Sequence, residues 1–258
     1  MTTATRQLLP AVPRAARSDW DDLLAPTPDA EPYDPAMAAD LPAAARRWLD
    51  HAVAPGTPLR RRVEMRQHGQ IRLGGRWWPI RARQALDPLR GYVWPVRTSL
   101  FGVPLVGIDR LHGEQAEMTH RLLGVIPVVR ESGADLARGA AGRAAGEMCW
   151  SPATALHPSV RWREVSDTEV VALVPVAGEV QECTLRVDGS GALRGCSNPR
   201  WARLNGGPWR WHTFGARILS EGTFDGFTGP TRVVAGYGED YAGEGAFVRL
   251  AIDDVVHR

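Results

Sequence analysis

Val128–Trp162 reads VVRESGADLARGAAGRAAGEMCWSPATALHPSVRW, and the rest of the chain is organised around it. It is the one strong helical signal within a long run of strand-like sequence, and Trp150-Ser151-Pro152 ends it abruptly. Ser132 followed by Asp135 predicts a capping-box-like start. From there Leu136, Ala140, Arg143 and Glu147 fall on one helical face. Arg143 and Glu147 are therefore neighbours one turn apart, beside an alanine-rich stripe suited to close packing on a sheet. Pro152 and Pro158 then bracket an extended loop carrying Thr154, Leu156 and His157.

On both sides of this helix the sequence is β-like. Eleven runs alternate or are rich in β-branched and aromatic residues: Arg60–Leu73, Trp77–Leu86, Gly91–Phe101, Val103–Leu111, Gln115–Leu123, Val160–Val165, Thr168–Val176, Val180–Val187, Ala192–Ser197, Trp209–Leu219 and Gly245–Val256. Ala177-Gly178 and Asp188-Gly189 are hairpin signals between them. The expectation is a mainly β protein: a single curled antiparallel sheet, a half-barrel of about ten or eleven strands around the central helix. An N-terminal helix, LPAAARRWLDHAV, is expected after a cap at Asp40, with Leu41, Ala44, Ala45, Trp48 and Ala52 on its apolar face. Residues 1–39 read as a flexible arm whose apolar knot, Trp20, Leu23 and Leu24, docks on a half-barrel domain of residues 40–258.

Composition narrows the chemistry. A hydrophobic content of 44% and a charged content of 23% are those of an ordinary folded domain. A net charge of +2 does not by itself call for nucleic acid or an anionic membrane, and no nucleic-acid partner is expected. All 31 basic residues are arginine, which excludes Schiff-base chemistry, pyridoxal phosphate attachment and a Walker-type loop. Cys149, Cys183 and Cys196 are an odd number without close spacing, and the first residues lack a signal-peptide core; both point to a cytoplasmic protein. No window is apolar enough to span a membrane as a helix. The histidines His68, His112, His120, His157 and His212 never fall in HxxxH or HExxH spacing, so no metal site and no cofactor are expected.

The run Arg143-x-x-x-Glu147-x-x-Trp150-x-Pro152-x-x-x-Leu156 resembles the signature of a bacterial family catalogued as domain of unknown function 6544. Gln67-x-Gly69, Gly75-x-Trp77-x-Pro79, Val93-Trp94, Asp109-x-x-x-Gly113 and Leu122–Val128 match it as well. The resemblance covers roughly residues 41–258, and Gly222–Gly243 departs from it by its glycine content. It implies a fold similar to the lipoprotein carriers and a pocket beside the helix, with no established activity.

Two readings of the site follow. In one, the protein binds an apolar or amphiphilic small molecule in a cavity lined by Trp77, Trp94, Trp150, Trp162, Trp209 and Trp211, with Arg143 and Asp109 as polar contacts. In the other it is a cofactor-independent cyclase or isomerase, with Glu147 as acid/base and His157 as a further proton-transfer candidate. Against both stands a plainer role for Arg143 and Glu147, an ion pair pinning helix to sheet.

Overall fold

The computed structural model describes residues 9–258, so the reading of the first eight residues lies outside it. The described residues form one antiparallel sheet of thirteen strands, two more than the upper expectation. In chain order these are β1 Val63–Leu73, β2 Arg76–Asp87, β3 Gly91–Leu100, β4 Val103–His112, β5 Gln115–Leu122, β6 Ile126–Ser132, β7 Arg161–Ser166, β8 Glu169–Val176, β9 Glu179–Val187, β10 Leu193–Ala202, β11 Arg210–Phe224, β12 Phe227–Tyr237 and β13 Ala246–His257. The helices are α1 Arg17–Leu23, α2 Ala43–Ala52 and α3 Ala134–Gly146.

The spatial order is β6-β5-β4-β3-β2-β1-β13-β12-β11-β10-β9-β8-β7. Every strand pairs with its sequence neighbour except where β1 meets β13 and where α3 separates β6 from β7. Since β6 and β7 have no further partner strand among the described residues, the sheet is open, with helices flanking it. The curled half-barrel expected from the sequence is corrected accordingly. Just before β1, which lies mid-sheet, Arg61 binds the buried Asp87 carboxylate at 3.0 Å.

The two strands missed by the pattern have local reasons. Ile126–Ser132 holds a proline and an exposed valine, Val128, and it ends where the helix was expected to be capped. Ser132 is thus the last residue of β6, and the residue capping α3 is Gly133 at φ 107°, a conformation that favours glycine. Asp135 does not cap; its carboxylate accepts from the Trp201 indole at 2.7 Å. Phe227–Tyr237 looks broken by its glycines, yet Gly236 lies where a Cβ would come within 2.1 Å of the Gly245 carbonyl oxygen. Only glycine permits that approach.

Helix α2 also starts without a side-chain cap; Pro42, not Asp40, precedes its first turn. It buries Ala44, Ala45, Trp48, Leu49 and Ala52, and Trp48 meets Trp162 at 6.4 Å between ring centres. On the sheet's other face, Trp20, Leu23 and Leu24 pack with Ala85, Val93 and Ile108 into a second, smaller core. Ion pairs tie α1 to β4: Arg110 to Asp19, and His112 to Asp22 at 2.7 Å.

Helix α3 touches β3–β6 on one side and β8–β10 on the other, so it lies over the sheet between strands far apart in its order. Its glycines make this possible. A Cβ at Gly139 would come within 2.4 Å of the Trp201 carbonyl oxygen, and the Gly142 carbonyl accepts from the Asn198 amide at 3.0 Å.

Candidate functional site

Between α3 and the sheet lies a cavity of about 990 Å³. Its walls are the inward phases of several strands: Trp94, Val96 and Thr98 of β3, Leu105 and Asp109 of β4, Met118 and His120 of β5, and Phe214, Ala216 and Ile218 of β11. Val233, Ala235 and Tyr237 of β12 and Phe247, Val248 and Leu250 of β13 complete the sheet side. Gly142, Arg143, Gly146 and Glu147 cover it from the helix, and Cys149 and Trp150 from the turn that follows. The mouth is framed by the β1–β2 turn at Leu73–Gly75, by Val128 of β6, and by the loops around Leu204 and Gly245.

A chain of buried polar groups occupies one wall. The Arg143 guanidinium donates to Glu147 Oε1 at 2.8 Å and to Asp109 Oδ2 at 3.4 Å. His120 Nε2 meets the other oxygen of Asp109 at 2.8 Å. Gln84 donates to Glu147 Oε2, Gln67 donates to the Gln84 carbonyl at 3.1 Å, and the Trp94 indole donates to the Gln67 carbonyl at 2.9 Å. The guanidinium also lies over the rings of Tyr92 (4.3 Å) and Trp94 (4.8 Å), a cation–π arrangement strengthened by burial. Burial opposes charge on Arg143, but Glu147, Tyr92 and Asp109 more than offset it and hold its pKa above the ordinary value. Burial pushes the Tyr92 phenol up to about 12, so it stays neutral beside the cation.

The sequence candidates therefore separate. Arg143, Glu147, Asp109, Trp94 and Trp150 all reach the cavity wall. Trp77 does not line it and instead packs under the Arg249 guanidinium at 4.1 Å. Trp162 faces Trp48, Trp209 lies against Arg203, and Trp211 is exposed and meets Trp201. On β11 the lining comes from Phe214, Ala216 and Ile218, the phase opposite Trp211. A Trp-lined cavity is accordingly corrected to a mainly aliphatic one with two indoles. His157 is half-buried in the loop before β7, bonded to Ser159 at 2.7 Å and not among the lining residues.

Gln84 and Arg200 were not singled out from the sequence, and His120 and Gln67 were named there without being assigned to the site. The Arg200 guanidinium borders the cavity over the Phe214 ring at 4.7 Å and, among the described residues, forms no ion pair with a carboxylate. The described residues also hold no grouping of three or more side chains placed to bind a metal ion, and all three cysteines are free and buried.

Trp150, which lines the cavity, is bonded to a buried histidine. The Trp150 indole donates to the Pro230 carbonyl at 2.9 Å, and His257 Nε2 donates to the Trp150 carbonyl at 3.2 Å while stacking on Phe227. Burial lowers the His257 pKa from about 6.5 to about 4. In that interval the unfolded chain takes up a proton that the folded chain refuses. Stability is therefore complete above about 6.5 and falls toward pH 4, by roughly 3 kcal/mol at most. Urea titrations from pH 7 to 5 should show this decline, and His257→Asn should flatten it.

Three solved structures are similar in overall shape. A LolA superfamily protein from Nitrosomonas europaea has 9% identity and a TM-score of 0.49, over 84% of this chain and 92% of that one. A domain from Vibrio parahaemolyticus named for outer membrane lipoprotein sorting has 6% identity and a TM-score of 0.43, over 76% and 85%. A DUF1329 family protein from Desulfovibrio piger has 11% identity and a TM-score of 0.43, over 87% and 94%. No curated protein matches. The cytoplasmic location expected from the sequence is withdrawn. The cysteines that suggested it are buried, and burial shields a thiol in any compartment. The Arg143–Leu156 signature and the matching pieces before it agree with the family model that covers residues 31–249, and the chain belongs to the family of unknown function DUF6544.

Proposed function

We propose that the protein binds an apolar or amphiphilic small molecule in the cavity beneath α3, in the manner of a carrier. The observation that supports this is the cavity itself: about 990 Å³, walled mainly by aliphatic and aromatic side chains, with an open mouth. Most of its polar wall groups are bonded to one another, which leaves a largely apolar surface to offer a ligand. Arg200, with no carboxylate partner among the described residues, is the side chain placed to meet an anionic head group.

A second reading keeps Glu147 as an acid/base, since its carboxylate borders the cavity. Both of its oxygens already accept hydrogen bonds from Arg143 and Gln84, which favours the helix-pinning role. Titration with dansyl-labelled undecanoic acid separates the readings in part. Wild type should bind it at one saturable site, with energy transfer from Trp94 and Trp150, and Glu147→Gln should bind within a few-fold of wild type. Absence of saturable binding in the folded wild type would count against a ligand cavity. A turnover activity lost by roughly 10²–10⁴ in Glu147→Gln would favour the enzyme.

A further inference from the structure

The small net charge conceals a local asymmetry at one end of the sheet. The turns joining β1 to β2, β3 to β4 and β5 to β6 lie side by side there, because these six strands are consecutive neighbours. No aspartate or glutamate occurs in residues 65–86, 88–108 or 118–130, the segments that build this end. Arg72, Arg76, Arg97, Arg121 and Arg130 are exposed there, and none of them is in an ion pair among the described residues. The carboxylates bordering the region are Glu131, already paired to Arg203, and Glu239, Asp240 and Glu244 of the loop before β13, across the cavity mouth.

The same end exposes large apolar side chains. Phe101 is 77% exposed and Val125 71%, joined by Leu123, Ile126, Val128 and Leu73. Leu73 and Val128 also line the cavity, with Arg72 and Glu244 beside them, so the apolar rim adjoins the cavity lining.

Two of these side chains are held outward against backbone preference. Phe101 (φ 51°) and Leu123 (φ 54°) both adopt the left-handed conformation and are followed by Gly102 and Gly124, also at positive φ. Such hairpin turns favour asparagine or aspartate at the first position, since a bulky side chain is strained there. This chain meets that preference elsewhere, with Asn205-Gly206 and Asp225-Gly226. At this end of the sheet it places phenylalanine and leucine instead.

We propose that this end of the sheet is a membrane-docking surface for anionic lipid. Phe101, Leu123, Val125 and Ile126 enter the interfacial layer while the arginines contact the head groups, and the cavity mouth then faces the lipid. Charge complementarity selects a lipid surface: five unpaired arginines around an apolar rim match a uniformly anionic layer with an apolar interior. The proposal goes beyond the carrier reading, since docking could hold even with a cavity that binds nothing.

The test is co-sedimentation with vesicles of phosphatidylglycerol and phosphatidylcholine, against vesicles of phosphatidylcholine alone. The full chain should partition onto the anionic vesicles and leave them as salt is raised. Phe101→Asn with Leu123→Asn installs the turn residue the backbone favours, so the melting temperature should hold or rise while partitioning falls at least tenfold. Arg97→Gln and Arg121→Gln should each lower anionic partitioning about fivefold. Titration with dansyl-labelled undecanoic acid should be unchanged in the Asn variants, which separates failure of docking from failure of the cavity. No partitioning onto anionic vesicles, equal partitioning onto neutral ones, or wild-type partitioning by the Asn variants would overturn the proposal. The first of these outcomes would assign the surface to a protein partner instead.

Discussion

Replacing Arg143 by methionine is expected to destabilise the protein by about 3–5 kcal/mol, because it strands charges that the fold has buried. Glu147 and Asp109 would both lose their cation, and their side chains are only 15% and 12% exposed. Neither carboxylate can turn to solvent without breaking its remaining bonds to Gln84 or His120. Methionine keeps much of the packing over Tyr92 and Trp94, so the loss measures charge rather than volume. Glu147→Gln should be milder, about 1–3 kcal/mol, since Arg143 keeps Asp109. Denaturant unfolding of the two variants checks this order. A loss below about 1 kcal/mol for Arg143→Met would mean that the network is incidental to the fold.

A chain beginning at Asp40 is expected to melt roughly 10–20 °C lower than the full chain. Removing residues 9–39 takes away Trp20, Leu23, Leu24 and Tyr33, all buried, and uncovers Ala85, Val93 and Ile108. At about 1.5–3 kcal/mol per buried large side chain, the loss comes to roughly 5 kcal/mol even after discounting compaction of the unfolded chain. Each kcal/mol shifts a domain of this size by about 2–4 °C. The ion pairs of Asp19 and Asp22 with Arg110 and His112 go as well, with a smaller effect because they are partly exposed. Calorimetry on the truncated chain tests this. A shift of only a few degrees would mean that these residues decorate the sheet rather than complete it.

Much of this architecture was legible because periodicity survives wherever one face of an element is buried. The alternation of Val63, Met65 and Gln67, and the glycine-alanine pattern of α3, can be read without coordinates. The same alternation carried an unused signal. Gln67, Gln84 and Asp109 each occupy the apolar phase of their strands, in the positions where neighbours such as Met65, Ala82 and Leu111 are buried. Three polar residues in buried phases imply that they meet one another, and they belong to the network around Arg143.

Other features were beyond sequence reasoning. Whether a sheet stays open depends on pairing between its outermost strands, and nothing in β6 or β7 states that they remain unpaired. The indoles misled because tryptophan packs well on either face of a sheet: Trp94 points inward, whereas Trp77 stacks under Arg249 and Trp211 is exposed. The capping expectation at Ser132 failed because the strand β6 runs to that residue, and Gly133 makes the turn by backbone conformation alone.

The space beneath α3 is proposed to receive a ligand. Ala216 and Ala235 both line that space and are direct cross-strand partners on β11 and β12, so Ala216→Trp with Ala235→Trp would place two indoles side by side within it. The cavity of about 990 Å³ has room for both side chains, which occupy a substantial part of it, so the melting temperature should move by only a few degrees. Titration of this double variant with dansyl-labelled undecanoic acid should show affinity at least tenfold weaker than wild type. Wild-type affinity in the folded double variant would place the binding site elsewhere and contradict the account.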